Sequence, residues 1–168
     1  MHQPSVALSH IQVISNHGFA EIRINIKSNQ KSLHAVSGFN NGEVISVFSA
    51  GEVCSSPHYL TVQTGKERHI TLVPQFLQYI NHSCDPNVFF DTASMQLKAL
   101  KNISVNEEFS FFYPSTEWDM AQPFYCYCES QNCLQNIQGA RYLNADQIKR
   151  YRFTDFIMNE LHNIPVKQ

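Results

Sequence analysis

Charge is what this chain has least of. Asp, Glu, Lys and Arg make up 15% of its 168 residues, against about 25% in ordinary domains. Lys and Arg number 12 against 14 Asp and Glu, a net charge of -2. No basic excess is available to hold a phosphate backbone or an anionic membrane. No apolar run approaches the ~18 residues of a membrane span. Met1-His2-Gln3-Pro4 lacks the basic start and apolar stretch of a secretory signal. Disorder is excluded from the other side, because 43% of the residues are hydrophobic, with 12 Phe and 7 Tyr, enough for a real core. The length suits one domain with a small appendage. The expectation is an intracellular protein, cytoplasmic or, in a eukaryote, nuclear, without direct nucleic-acid or membrane contact. The sequence does not set its oligomeric state.

Five cysteines are present, Cys54, Cys84, Cys126, Cys128 and Cys133. An odd number without a secretory signal argues against a disulfide framework. Cys126, Cys128 and Cys133 fall within eight residues. Thiols so spaced either pack as small hydrophobes or turn toward one metal ion, and zinc asks for four such ligands. Cys84, in the polar turn Asn81-His82-Ser83-Cys84-Asp85-Pro86-Asn87, is the candidate fourth. Cys54 reads as an ordinary core thiol.

Strand-period alternation dominates the rest, so the fold class is mostly β. Val6 to Ile14 reads as a strand with an irregularity near His10. Ser15 to Gly18 reads as a turn, and Ile22, Ile24 and Ile26 alternate with polar residues as a half-buried strand. Leu33 to Val36 and Glu43 to Phe48 follow. Tyr59–Gln63 with Arg68–Leu72, and Val88–Asp91 with Met95–Leu100, read as hairpins. Glu108 to Phe112 closes the strands, with Glu107 and Glu108 as its solvated start. One late helix is expected, capped by Asn144, carrying Ile148, Tyr151, Phe156, Ile157 and Leu161, and stopped by Pro165.

Two segments are too polar or too aromatic for plain core. One is the turn from Asn81 to Asn87. The other is Asn106-Glu107-Glu108-Phe109-Ser110-Phe111-Phe112-Tyr113, a turn feeding an aromatic strand. With the cysteine-rich stretch after them, these segments resemble the SET-domain lysine methyltransferases. Asn-His-Ser-Cys-x-Pro-Asn is that family's most specific signature, and Glu107–Tyr113 is similar to its Glu-Glu-Leu-Thr-Phe-Asp-Tyr strand. Cys126, Cys128 and Cys133 match its post-SET tail. Leu33-His34-Ala35 and Gly42-Glu43-Val44-Ile45 are similar to its opening strand pair.

The resemblance, over residues 30 to 143, implies several small sheets around a knot-like threaded crossing, with a zinc-stapled loop and a C-terminal helix. It divides the chain into an N-terminal hairpin at 1–29, a SET domain at 30–118, a post-SET zinc segment at 119–143 and a helix at 144–168. It implies S-adenosylmethionine-dependent methylation of a lysine borne by a protein or peptide. Tyr113 takes the catalytic tyrosine position and Tyr59 the second active-site tyrosine. Phe111 takes the position where phenylalanine leaves room for a methylated amine, which implies di- or trimethylation. Lys31, Ser32, Leu33, Asn81, His82, Trp118, Phe124 and Tyr127 fall, with Tyr113, at cofactor positions. Cys84, Cys126, Cys128 and Cys133 would hold a structural zinc.

Three departures from the pattern stand out. Gln30-Lys31-Ser32 replaces Gly-x-Gly, Phe112 replaces the acidic residue before the tyrosine, and Gln78 replaces an arginine. Two other readings stay compatible with the same residues. One is a SET scaffold turned to a small molecule, and the other a non-catalytic SET-like binding module.

The chemistry asked of such a site is demanding. Lysine is almost wholly protonated at neutral pH, with roughly one amine in a few thousand carrying a free lone pair. A dry aromatic channel lowers that pKa and aligns the nitrogen for displacement.

Overall fold

The computed structural model describes residues 10–163. Among them, strands β1 (Ile11–Asn16), β2 (Ala20–Asn25) and β3 (Gln30–Ala35) form an antiparallel sheet in that order. Gly18, at φ 87°, makes the first turn and donates its amide to the Asn16 side chain. Ala20 pairs with Ala35 and Ile22 with Leu33, and all four side chains are buried on one face. The alternation expected through Ile26 fades outward. Ile24, between Gln12 and Lys31 in the register, is half-buried, and Ile26, past the strand end, is exposed. The irregularity in β1 lies between Val13 and Ser15 rather than near His10. Val6 and Leu8, the start of that expected strand, lie outside the described residues. Since β2 pairs with β3 along its whole length, one sheet runs across residue 29.

A second sheet orders β4 (Val44–Val47), β10 (Gln96–Ala99) and β9 (Val88–Asp91). A third orders β5 (Ser49–Cys54), β7 (Arg68–Val73) and β6 (Val62–Gly65). The two expected hairpins are the β6–β7 and β9–β10 pairs. β5 is invisible to periodicity, because Ser49-Ala50-Gly51-Glu52 carries no apolar alternation. Half-buried Cys54 sits on it, apart from the other sulfurs.

Two adjacent phenylalanines divide the interior. β8 (Asn81–His82) pairs in parallel with β11 (Ser110–Phe111). Side chains alternate along such a strand. Phe111 therefore enters the main core, edge-on to Phe90 at 4.9 Å, with Phe109, Leu33, Ile70 and Leu97 in the same cluster. Phe112 enters a second cluster, with Ala140, Phe153 and Ile157.

The tail has little regular structure. β12 (Phe124–Tyr125) and β13 (Asn136–Ile137) are two-residue strands. Residues 117–120 and 138–141 zip together through Met120–Gln138, Ala140–Glu117 and Arg141–Trp118 backbone bonds. Gly139 is required there: at φ 131° its missing Cβ would sit 2.5 Å from the Trp118 carbonyl oxygen. The single helix expected from Asn144 is two. Asn144 and Gln147 form a capping box on α1 (Ala145–Ile148), and Thr154 caps α2 (Asp155–His162). Tyr151 and Phe153 break the continuity. Tyr151 stacks on Phe112 at 3.7 Å and donates to the Cys84 carbonyl at 3.0 Å, while Phe153 is buried. Pro165 lies outside the described residues.

Candidate active site and metal centre

The polar turn and the aromatic strand are sewn together. The Ser83 amide donates to the Phe111 carbonyl at 3.1 Å and the Asn87 amide to the Ser110 carbonyl at 3.0 Å. Asn87, buried, accepts from the Ser110 amide at 2.8 Å and donates to Glu107 Oε1 at 3.0 Å and to the Glu108 carbonyl at 2.8 Å. Asn81 donates to the Lys31 carbonyl at 3.0 Å and to Glu108 Oε1 at 2.9 Å. Glu107 and Glu108, expected as a solvated strand start, thus brace the turn.

His82 is the hub. Its Nδ1 accepts from the Tyr113 amide at 3.2 Å, which leaves the proton on Nε2, 3.4 Å from the Cys84 sulfur. Burial holds its imidazole down at about 4, so the ring is neutral. It also packs edge-on to Tyr113 and Phe124.

Two concavities meet at Tyr113. A groove of about 500 Å³ is lined by Gln30, Asn81, His82, Glu108, Tyr113 and, from the tail, Phe124 through Cys128. A second cavity of about 310 Å³ is lined by residues 57–59, Thr61, Tyr113, Glu117 and residues 120–124. Tyr113 and Phe124 line both. Burial, helped by the Glu108 charge, pushes the Tyr113 phenol up to about 12, so it remains a neutral hydroxyl. Phe111 lies against its ring at 4.7 Å. Tyr59 stands at the cavity rim, 73% exposed.

Not every residue at an expected cofactor position reaches the groove. Leu33 is fully buried in the main core, and the Ser32 hydroxyl is engaged with His34. Lys31 presents its carbonyl to Asn81 and its ammonium to the Tyr79 ring. Gln30 is the residue of that strand in the groove wall. Trp118 packs with the Phe112 cluster instead, its amide tied to Gln63. Asn81, His82, Tyr113, Phe124 and Tyr127 do converge on the groove.

Four sulfurs form the second centre. The Sγ atoms of Cys84, Cys126, Cys128 and Cys133 all lie within 4.8 Å of one another, and none is in a disulfide. A tetrahedral zinc with metal–sulfur bonds of about 2.3 Å places its sulfurs roughly 3.8 Å apart. The donor set fits, with only a small contraction needed. Backbone amides of Cys128 and Leu134 already donate to the sulfurs of Cys126 and Cys84 at 3.4 Å, which favours thiolates. Burial pushes the Cys84 and Cys126 thiols up. Burial opposes Cys128 too, yet backbone hydrogen bonds hold it down at about 6. A divalent cation would resolve this crowding of sulfur.

Sequence reading missed Glu117. It is the lone charged residue between Phe109 and Trp118, and that isolation was the available signal. The carboxyl is 8% exposed and accepts from the Gln63 amide at 3.0 Å. Burial pushes it up to about 8, against hydrogen bonds from Gln63 and Thr116.

A parallel pair of two-residue strands, a tyrosine between two concavities and a sulfur cluster behind it define a class. The SET-domain family model matches residues 12–114, and the chain belongs to that family. Among curated proteins it is 46% identical over 95 residues to "Methyltransferase flvH" of Aspergillus flavus, across 55% of this chain and 53% of that protein. It is 30% identical over 105 residues to "Histone-lysine N-methyltransferase, H3 lysine-36 specific" of Kluyveromyces lactis, across 58% of this chain and 15% of that one. The chain thus spans about half the length of the first relative and a small part of the second. Among solved structures, the methyltransferase domain of human Histone-lysine N-methyltransferase SETMAR superposes with a TM-score of 0.49 at 18% identity, covering 77% of this chain and 58% of that one. Among the described residues, no helix is long and apolar enough to cross a membrane.

Proposed function

We propose that the chain is an S-adenosylmethionine-dependent N-methyltransferase acting on the ε-amine of a lysine in an intracellular protein, with room for di- or trimethylation. The observation that carries this reading is that Tyr113 lines two concavities at once. A methyl donor and a methyl acceptor need such an arrangement, entering from opposite sides to meet in line.

The groove suits the donor. Its volume falls within the usual range for small ligands, and His82, Phe124, Tyr125 and Tyr127 offer ring surface to a purine. The Glu108 carboxylate and the Tyr113 ring complement positive charge. Glycine is absent from the β3 wall, and Gln30 supplies a side-chain amide there instead. When bound, S-adenosylmethionine supplies an electrophilic methyl on a cationic sulfur. Tyr113 then acts as a neutral hydroxyl whose oxygen faces developing charge without ionising. Phe111 supports its ring and offers no hydroxyl to a methylated amine, which supports multiple rounds of transfer. Cys84, Cys126, Cys128 and Cys133 would hold zinc as four thiolates, a closed structural set with no open position for catalysis. Its chemistry is to fix residues 119–143 as a flap, since Phe124 through Cys128 wall the groove.

A second reading, a small-molecule amine as acceptor, is favoured by one finding. The relative at 46% identity is named a methyltransferase without a protein substrate, whereas the one named for histone lysine shares 30%. One experiment tests both. Methyl-labelled S-adenosylmethionine is added to a cell extract with zinc-loaded wild type or Tyr113→Phe protein. The expected result is label in protein lysines, reduced at least about 100-fold by the substitution, in line with loss of an active-site hydrogen-bonding group. Label confined to small molecules selects the second reading. Equal labelling by the variant overturns the role of Tyr113.

A further inference from the structure

The acceptor cavity contains a carboxyl group that the fold does not need as an acid. Glu117 Oε1 accepts from the Gln63 amide, and Gln63 Oε1 in return accepts from the Trp118 amide at 2.9 Å. This reciprocal clasp fixes the Glu117 side chain in the cavity wall. A glutamine at 117 would accept the same amide hydrogen without carrying an acid into a dry site, where an unpaired charge is costly. No lysine or arginine lines the cavity to neutralise it. The charged and titratable groups on the packed elements are His58 and Tyr59 at the rim, buried His69 on β7 opposite Gln63, Tyr113, and an outward Asp119–Arg141 ion pair. None of them pairs with Glu117. The missing partner is something that enters the cavity.

Resting on the methyltransferase reading above, we propose that Glu117 is the ammonium-binding carboxylate of the acceptor cavity. The amine enters as a cation, pairs with Glu117, and passes to it the proton that nitrogen must lose before methylation. In that transfer an N–H bond breaks, its electron pair stays on nitrogen as the nucleophilic lone pair, and an O–H bond forms on the carboxylate. The ion pair and the neutral amine–acid pair are tautomers of one complex. Both contain one proton fewer than the separate protonated partners.

That proton count gives a test independent of turnover. Zinc-loaded protein is titrated calorimetrically with n-butylammonium chloride, the cation of a lysine side chain, at pH 7 in buffers of different ionisation enthalpy. The empty carboxyl is mostly protonated at that pH, so binding releases about one proton per amine. Affinity rises as pH passes 8 and falls again as the free amine deprotonates near 10.4. Glu117→Gln melts no lower than wild type, binds the amine at least tenfold more weakly and releases no proton. As a check that needs no variant, n-butanol binds wild type at least tenfold more weakly than n-butylammonium. Equal affinity of wild type and Glu117→Gln for the cation, equal affinity of wild type for the alcohol, or binding without proton release overturns the proposal. The labelling experiment above fails separately. Glu117-dependent amine binding without methyl transfer removes the methyltransferase reading and leaves Glu117 as an ammonium-binding carboxylate without a role in methylation.

Discussion

Phe111 and Phe112 are neighbours in the chain, yet they anchor two regions built on different physics. Around Phe111, three three-stranded sheets enclose one aromatic and aliphatic core, mostly hairpin pairings with β4 and β10 joining distant segments. Around Phe112, two-residue strands, a four-residue helix and an eight-residue helix surround a much smaller cluster. The first region is held by backbone ladders and burial. The second has a smaller cluster and a short backbone zipper, to which four sulfurs, one stack and one hydroxyl are added. The groove proposed to hold the methyl donor lies on the seam between them, so its wall draws on both regions.

The largest expected effect comes from removing the zinc proposed for the four sulfurs. Chelation, or Cys84→Ser, is expected to cost the tail its fold, since structural zinc contributes on the order of 10 kcal/mol in small domains. Hydrogen exchange checks this: protection is lost over 119–143 and retained in β2, β3, β7, β9 and β10. Uniform loss across both regions would remove the distinction. Next is Phe112→Ala, which takes away the stack on Tyr151 and empties the second cluster. Large-to-small core changes of this kind cost about 3–5 kcal/mol, read from urea unfolding, with the Phe90 region last to melt.

A smaller, pH-dependent effect comes from Glu117. Its folded-state carboxyl is raised to about 8 from 4.5, so between those values the folded state binds more protons than the unfolded. Stability therefore falls as pH rises through that window, by a few kcal/mol in order of magnitude. Glu117→Gln is expected to flatten the profile and melt higher than wild type at pH 8, with little difference at pH 4.5. A wild-type melting curve flat across this range would show that the carboxyl is not buried as described. Smallest is Tyr151→Phe. It keeps the stack and deletes the bond to the Cys84 carbonyl, costing about 1 kcal/mol.

How much of this was legible in the sequence follows the same division. The signature turn and aromatic strand could be read because turn chemistry and strand period are local properties, and both hairpins were marked by alternation. The parallel β8–β11 pair could not, being two residues long and joining segments 29 residues apart. Trp118 is tied to Gln63 and Leu33 lies in the main core, placements that depend on partners distant in sequence. One helix became two because the aromatic stripe of Tyr151 and Phe153 serves Phe112 and Cys84 rather than a helix face. Phe112 itself, a departure from the family's acidic residue, makes sense only once Tyr151 lies flat on it. Glu117 carried one local signal, its isolation among apolar and aromatic residues, and its burial is set by neighbours distant in sequence such as Gln63.

The direct measurement of the central claim is the equilibrium affinity for S-adenosylmethionine, taken on zinc-loaded protein and on the same protein stripped by chelation. The account predicts clear binding to the loaded form and at least a tenfold loss on stripping, because half of the groove wall belongs to the sulfur-held flap. Undiminished binding by the stripped protein, or no binding by either, would contradict it.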